Sequence, residues 1–177
     1  VGNRRREEAG HYLGSVLAYG GESYWGVDRL HFLEARLTEL GLRHDEAAAP
    51  LYPPPPDLAG PVTAPRGGEL HWYLSFRSPY TWLAAQRVKA IADAHGAELR
   101  LRFVLPMVMR SLPVPPAKRR YITRDAAREA RRLGIPFGRI VDPVGEPVER
   151  GYSLLPWARG QGRGFAFVES FLRNVWS

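Results

Sequence analysis

Between residues 42 and 68 the chain carries Pro53-Pro54-Pro55-Pro56, Pro61, Pro65 and Gly67-Gly68. Each proline lacks a backbone N–H and holds φ near about −65°, so neither helix nor sheet can run through such a stretch. Extended polyproline geometry is favoured instead, at roughly 3 Å per residue. The 177 residues therefore divide into a short first unit (1–41), a linker (42–68) and a larger second unit (69–177). That length suits one domain with a full core, or one domain plus a fragment.

The first unit reads strand, strand, helix. Leu13–Tyr19 is a short apolar run, Gly20-Gly21 is a turn, and Glu22–Trp25 is the second arm of a hairpin. After Gly26 the period changes, and Leu30, Leu33, Leu37 and Leu40 recur on one face of an amphipathic helix. Asp28 can cap that helix and Gly41 can close it.

The second unit opens with alternation. Leu70, Trp72, Leu74 and Phe76 share one face of a strand. Ser78-Pro79 then starts a helix with Tyr80, Ala84, Val88 and Ile91 on its inner side, ending near Gly96. Leu99, Leu101, Phe103 and Leu105 alternate again. Strand, helix, strand with short connections is a βαβ unit, whose strands run parallel. Tyr121–Leu133 is helical, with Ile122, Ala126, Ala130 and Leu133 inward and its arginines mostly outward. A Gly/Pro-rich loop (Ile135–Gly151) precedes two further helices, Tyr152–Arg159 and Gly164–Trp176. The tryptophans Trp72, Trp82, Trp157 and Trp176 read as core or edge packing.

Composition excludes several chemistries. The chain has no cysteine, which removes disulfides, Cys-ligated zinc, Fe–S clusters and thiol nucleophiles together. His11, His31, His44, His71 and His95 lack paired metal-ligand spacing, so no metal site is expected. The net charge is +7, but nearly all basic residues are arginines spread along the chain. Gripping a phosphate backbone needs them gathered on one face, so no nucleic-acid partner is expected. No apolar stretch approaches the roughly 20 residues that cross a bilayer, and no apolar run follows the basic residues of Val1–Glu8 to make a secretory signal. The expectation is a cytoplasmic protein without membrane partners.

The phrase Tyr73-Leu74-Ser75-Phe76-Arg77-Ser78-Pro79-Tyr80-Thr81-Trp82-Leu83-Ala84 resembles the DsbA superfamily of thioredoxin-like folds. It is most similar to the branch of 2-hydroxychromene-2-carboxylate isomerases and kappa-class glutathione transferases. Disulfide oxidoreductases of this fold begin the helix with Cys-x-x-Cys; here Ser78, Pro79, Tyr80 and Thr81 stand there. The resemblance implies an α/β, DsbA-like thioredoxin fold with a helical insertion, which Ile135-Pro136-Phe137 fits. It also implies glutathione as cofactor, a small-molecule substrate, and Ser78 as the catalytic hydroxyl facing the glutathione sulfur. Arg77, Ser78 and Pro79 would bind glutathione, and Tyr80 would wall the substrate.

Trp25-Gly26-Val27-Asp28-Arg29-Leu30 resembles a different part of that fold, its closing strand and last helix, which implies glutathione contacts from Asp28 and Arg29. The stretch Gly10–Ser15 has no proline where the family keeps a cis-proline. The fold is thus expected to be incomplete or permuted, tail first and head last. It is either a piece of a tandem protein with two DsbA-like domains, or a permuted chain that completes its sheet within itself or by strand exchange in a homodimer. A sheet of two parallel strands leaves bare edges, and the N-terminal hairpin is the nearest element to cover them.

Two readings of the residues stay open. Ser-Pro is also a preferred N-cap and first-turn pair without any chemistry, Asp28 is also a good cap, and Arg29 also suits solvent. The alternative to a glutathione-dependent isomerase or transferase is a non-catalytic, degenerate thioredoxin-like module kept for packing or protein association.

Overall fold

The computed structural model describes residues 1–45, 47–56 and 67–177. It is a mixed α/β chain. Among the described residues there are two small sheets and six α-helices, grouped in two compact units. Part of the expected linker, 57–66, lies outside the described residues. The rest of it, 42–45, 47–56 and 67–68, forms neither helix nor strand.

The first unit comprises residues 1–57 together with 115–121. It opens with helix α1 (Gly2–Glu8), which sequence patterning did not anticipate. Strands β1 (Val16–Tyr19) and β2 (Glu22–Trp25) pair antiparallel, Tyr19 opposite Glu22. The two-residue connection takes φ of 56° and 78° at Gly20 and Gly21, the doubly positive pair that a tight hairpin turn needs. Helix α2 (Leu30–Glu39) follows a 3₁₀ turn at Val27–Arg29. Its end is closed by two bonds, Gly41 N–H to the Thr38 carbonyl (2.9 Å) and Leu42 N–H to the Leu37 carbonyl (3.0 Å). The unit is packed with rings: His11 meets Tyr121 edge-on at 4.7 Å, and the Tyr121 hydroxyl accepts from Trp25 N–H at 3.1 Å.

Glu34, on α2, folds the following segment back. Its two carboxylate oxygens accept from Leu51 N–H and Tyr52 N–H, each at 2.8 Å, and Arg43 lies 3.7 Å away. Those two amides, followed by Arg43, hold the Glu34 carboxyl below the usual carboxylate range. A lowered folded value means the unfolded chain takes up the proton first. This tether is therefore intact above the usual carboxylate range and is lost as pH falls through the folded value. We expect Glu34→Gln at neutral pH to raise hydrogen exchange at Leu51 and Tyr52, as acid does in the wild type; protection unchanged by the substitution would refute the tether.

The second unit comprises residues 58–114 and 122–177. Strands β3 (Glu69–Leu74) and β4 (Glu98–Phe103) pair in parallel, Glu69 opposite Glu98, joined by helix α3 (Pro79–His95). The two strand pairs form separate sheets. Helix α4 (Pro116–Leu133), α5 (Glu146–Gly160) and α6 (Gly164–Trp176) complete the chain. Leu74 and Phe76 are fully buried, Trp72 nearly so, and they meet Trp82, Leu83, Tyr152, Leu155, Val168 and Leu172 in one core. Each such side chain contributes about 1.5–3 kcal/mol by leaving water.

Three expectations shift here. The inner side of α3 is Trp82, Leu83, Ala85 and Ala92, whereas Tyr80 stays 36% exposed; apolar residues occupy more than one side of this helix, and only packing chooses among them. The loop expected to reach Gly151 stops earlier, because α5 begins at Glu146. Pro147 suits a first turn, where no amide partner is needed, and Glu146 and Glu149 oppose the positive helix end. Finally, Trp157 is 67% exposed on α5 and does not join the packed tryptophans.

Candidate functional site

β3 ends at Leu74, and the next three residues turn the chain into α3. Ser78 N–H donates to the Ser75 carbonyl at 3.0 Å, and Ser75 N–H donates to the Thr81 hydroxyl at 3.3 Å. Ser78 sits at φ −97°, ψ 119° as the N-cap, with Pro79 in the first turn. The Ser78 hydroxyl oxygen accepts from Thr81 N–H at 3.4 Å. The oxygen is thus engaged as a cap while its proton remains a donor. Half-buried Ser78 stands at the helix end where amides and helix dipole together favour negative charge.

The turn is fixed from below by Tyr152 on α5. Its hydroxyl accepts from Phe76 N–H at 3.1 Å and donates to the Val104 carbonyl at 2.9 Å. One phenol therefore ties the second residue after β3 to the first residue after β4. Burial pushes the Tyr152 phenol up, opposed in part by the donors at Phe76 and Ser75. Its ring stacks on Phe76 at 4.6 Å, and Phe76 stacks on Phe171 at 4.0 Å. Gly151 lets this column close: a Cβ there would stand 2.7 Å from Phe171 and 2.8 Å from Phe76.

Both neighbours of the Ser-Pro pair are engaged by carboxylates. Arg77 donates from Nε and Nη2 to the two oxygens of Asp142, each at 2.7 Å. Asp142 raises the Arg77 guanidinium further above its already high value. Tyr80 donates its hydroxyl to Asp125 at 2.7 Å. Asp125 is only 1% exposed, and Glu129, one turn later on α4, is 9% exposed and paired with Arg132 at 2.9 Å.

Arg77, Ser78 and Tyr80 are thus partly exposed at the mouth of α3, while Pro79 between them is buried. Asp28 and Arg29 belong to the first unit. There they pair with each other at 2.8 Å, and α2 has no side-chain cap bond from Asp28. The 3₁₀ turn draws Asp28 in before α2 starts, so the capping expected of it does not occur. Two clefts in the second unit, of about 330 and 680 Å³, border Leu154 and Phe171 in one case and Leu101 and Arg159 in the other. Neither is lined by Ser78. Among the described residues no cluster of three or more His, Asp or Glu could hold a metal, and no helix is long and apolar enough to cross a membrane.

Sequence reasoning missed Asp125, Asp142 and Tyr152. Asp125 left one trace: Tyr121, Asp125 and Glu129 recur at four-residue steps, an acidic stripe inside an arginine-rich helix.

No protein-family model matches the chain, and no curated protein matches it. Among solved structures it is similar to a 2-hydroxychromene-2-carboxylate isomerase in its selenomethionine form, at 23% identity and a TM-score of 0.47. The match covers 60% of this chain and 55% of that one, so the chain spans about half the length of that protein.

Proposed function

We propose that the chain carries the glutathione site of a DsbA-like, thioredoxin-fold isomerase or transferase that acts on a small molecule in the cytoplasm. One observation carries the reading: a serine hydroxyl with a donatable proton caps the helix that directly follows a core strand. Where relatives by resemblance keep a redox cysteine, this residue cannot be the thiolate but can stabilise one. A hydrogen bond to a charged partner is worth about 1.5–3 kcal/mol, or roughly one to two pKa units. That would bring a thiol near 8.5 toward neutrality. The fit to glutathione rests on two groups: the Ser78 hydroxyl for the sulfur, and Arg77, whose fork is already set to hold a carboxylate. Glutathione, when bound, would supply a thiolate nucleophile. Ser78 would hold that sulfur, the α3 amides would favour its charge, and the exposed Tyr80 ring would wall the adjoining space.

The test is calorimetric titration with glutathione. Ser78→Ala should weaken binding about tenfold, the size of one charge-assisted hydrogen bond. Ser78→Gly should do the same while changing helix capping by only a few tenths of a kcal/mol. Binding that is absent from the wild type, or that neither variant weakens relative to wild type, rejects the reading. The bond from Thr81 N–H to Ser78 favours a second reading, in which the serine is a cap alone and the unit is a non-catalytic association module.

A further inference from the structure

We infer that Asp142 is an internal stand-in for a ligand carboxylate, so that Arg77 is a carboxylate site which the ligand enters by displacing the chain's own side chain. This deepens the reading of the Ser78 turn as a ligand site and rests on it.

The pair is a two-point fork, with both bonds at 2.7 Å between residues 65 positions apart. Guanidinium geometry matches any carboxylate in this way, and the recognition is planar and specific. The two partners differ in exposure. The Arg77 side chain is 20% exposed and Asp142 is 51% exposed. An incoming carboxylate meets the open side of the pair, where Asp142 is already half in water. Exchanging one carboxylate for another conserves charge and hydrogen bonds at Arg77, so the swap has little intrinsic cost. Arg77 directly precedes the capping Ser78. A ligand anchored at the fork by its carboxylate therefore brings its other atoms to the donor hydroxyl and the α3 amides. The ligand class is an anionic thiol.

The release is local. Asp142 lies in the stretch between α4 and α5, which is fastened independently of Arg77. Gly138 N–H donates to the Trp176 carbonyl and Val141 N–H to the Val175 carbonyl, both at 2.9 Å. The Asp142 side chain also accepts from Val144 N–H at 3.2 Å. The aspartate can turn away, giving up its bond to Val144 N–H, while the Gly138 and Val141 amides keep theirs.

The sign of the expected effect separates this from a purely structural ion pair. Titrated with glutathione, Asp142→Asn should bind about fivefold tighter than wild type, the upper range for removing a partly exposed competing pair. Arg77→Gln should bind about tenfold weaker, and the double variant should gain nothing over Arg77→Gln. Should Asp142→Asn fail to fold, Asp142→Ser carries the same expectation. Glutarate, a carboxylate without thiol or peptide, is the second probe, read from the Arg77 Nε–H resonance in nitrogen-15 spectra. It should shift that resonance at lower concentration in Asp142→Asn than in wild type. Folded Asp142 variants that bind both probes no tighter than wild type overturn the inference and leave the glutathione reading standing. A glutarate response without glutathione binding rejects glutathione and keeps the carboxylate site. Silence toward both probes rejects both.

Discussion

Phe76→Ala is expected to destabilise the second unit by about 3–5 kcal/mol, the range for removing a fully buried aromatic side chain. Phe76 has no exposed surface and lies between two rings, Tyr152 at 4.6 Å and 19°, Phe171 at 4.0 Å and 18°. The space left behind could not collapse easily. Tyr152 is held at its hydroxyl by two backbone groups, and Gly151 has no side chain to swing in. The cost depends on how far a site relaxes, so a rigid frame places this one in the upper range. Urea titration followed by tryptophan fluorescence measures it through the midpoint. Phe76→Leu, which keeps most of the volume, should cost about 1.5 kcal/mol. A loss below about 1 kcal/mol for the alanine variant would show that neighbouring rings fill the gap, against the geometry described.

Tyr152→Phe is the second large effect, although it removes a single oxygen. The hydroxyl serves the buried Phe76 N–H and the half-buried Val104 carbonyl, and its removal leaves both without this partner. A buried polar group without a partner costs about 1–3 kcal/mol, so we expect at least 2 kcal/mol, with faster exchange of the Phe76 amide. Since burial raises the Tyr152 phenol in the folded chain, the unfolded chain ionises first in alkali. The stability from this group is complete below the ordinary phenol range and is lost as pH rises through the folded value. Wild type should therefore lose stability in alkali more steeply than Tyr152→Phe. Parallel alkaline profiles for the two proteins would contradict the assigned role.

How much of this was legible follows from distance along the chain. The β3 and β4 strands were readable because Leu70, Trp72 and Leu74 alternate with polar neighbours, as do Leu99 and Leu101. The hairpin was readable from two glycines, and the start of α3 from Ser-Pro, because caps and tight turns are local chemistry. The inner side of α3 was not readable, since Tyr80, Val88 and Ile91 make as apolar a stripe as Trp82, Leu83 and Ala85. The buried side of α4 was half legible: Ala126 and Ala130 are inside as expected, but so are Asp125 and Glu129. Charge normally marks an outward face, and partners such as the Tyr80 hydroxyl and Arg132 make those burials tolerable. The fork from Arg77 to Asp142 and the bond from Tyr80 to Asp125 span 65 and 45 residues. Periodicity carries no information across such spans. The sequence therefore disclosed the serine but not the carboxylates that engage its neighbours.

The ring column has an optical consequence. Phe103 also stacks on Tyr152, at 4.6 Å and 22°, so one phenol chromophore stands between phenylalanines in a fixed, handed setting. Such a chromophore should give a strong near-ultraviolet circular dichroism band. Because its hydroxyl grips the amide two residues before Ser78, the protein carries a label-free reporter of the mouth of α3.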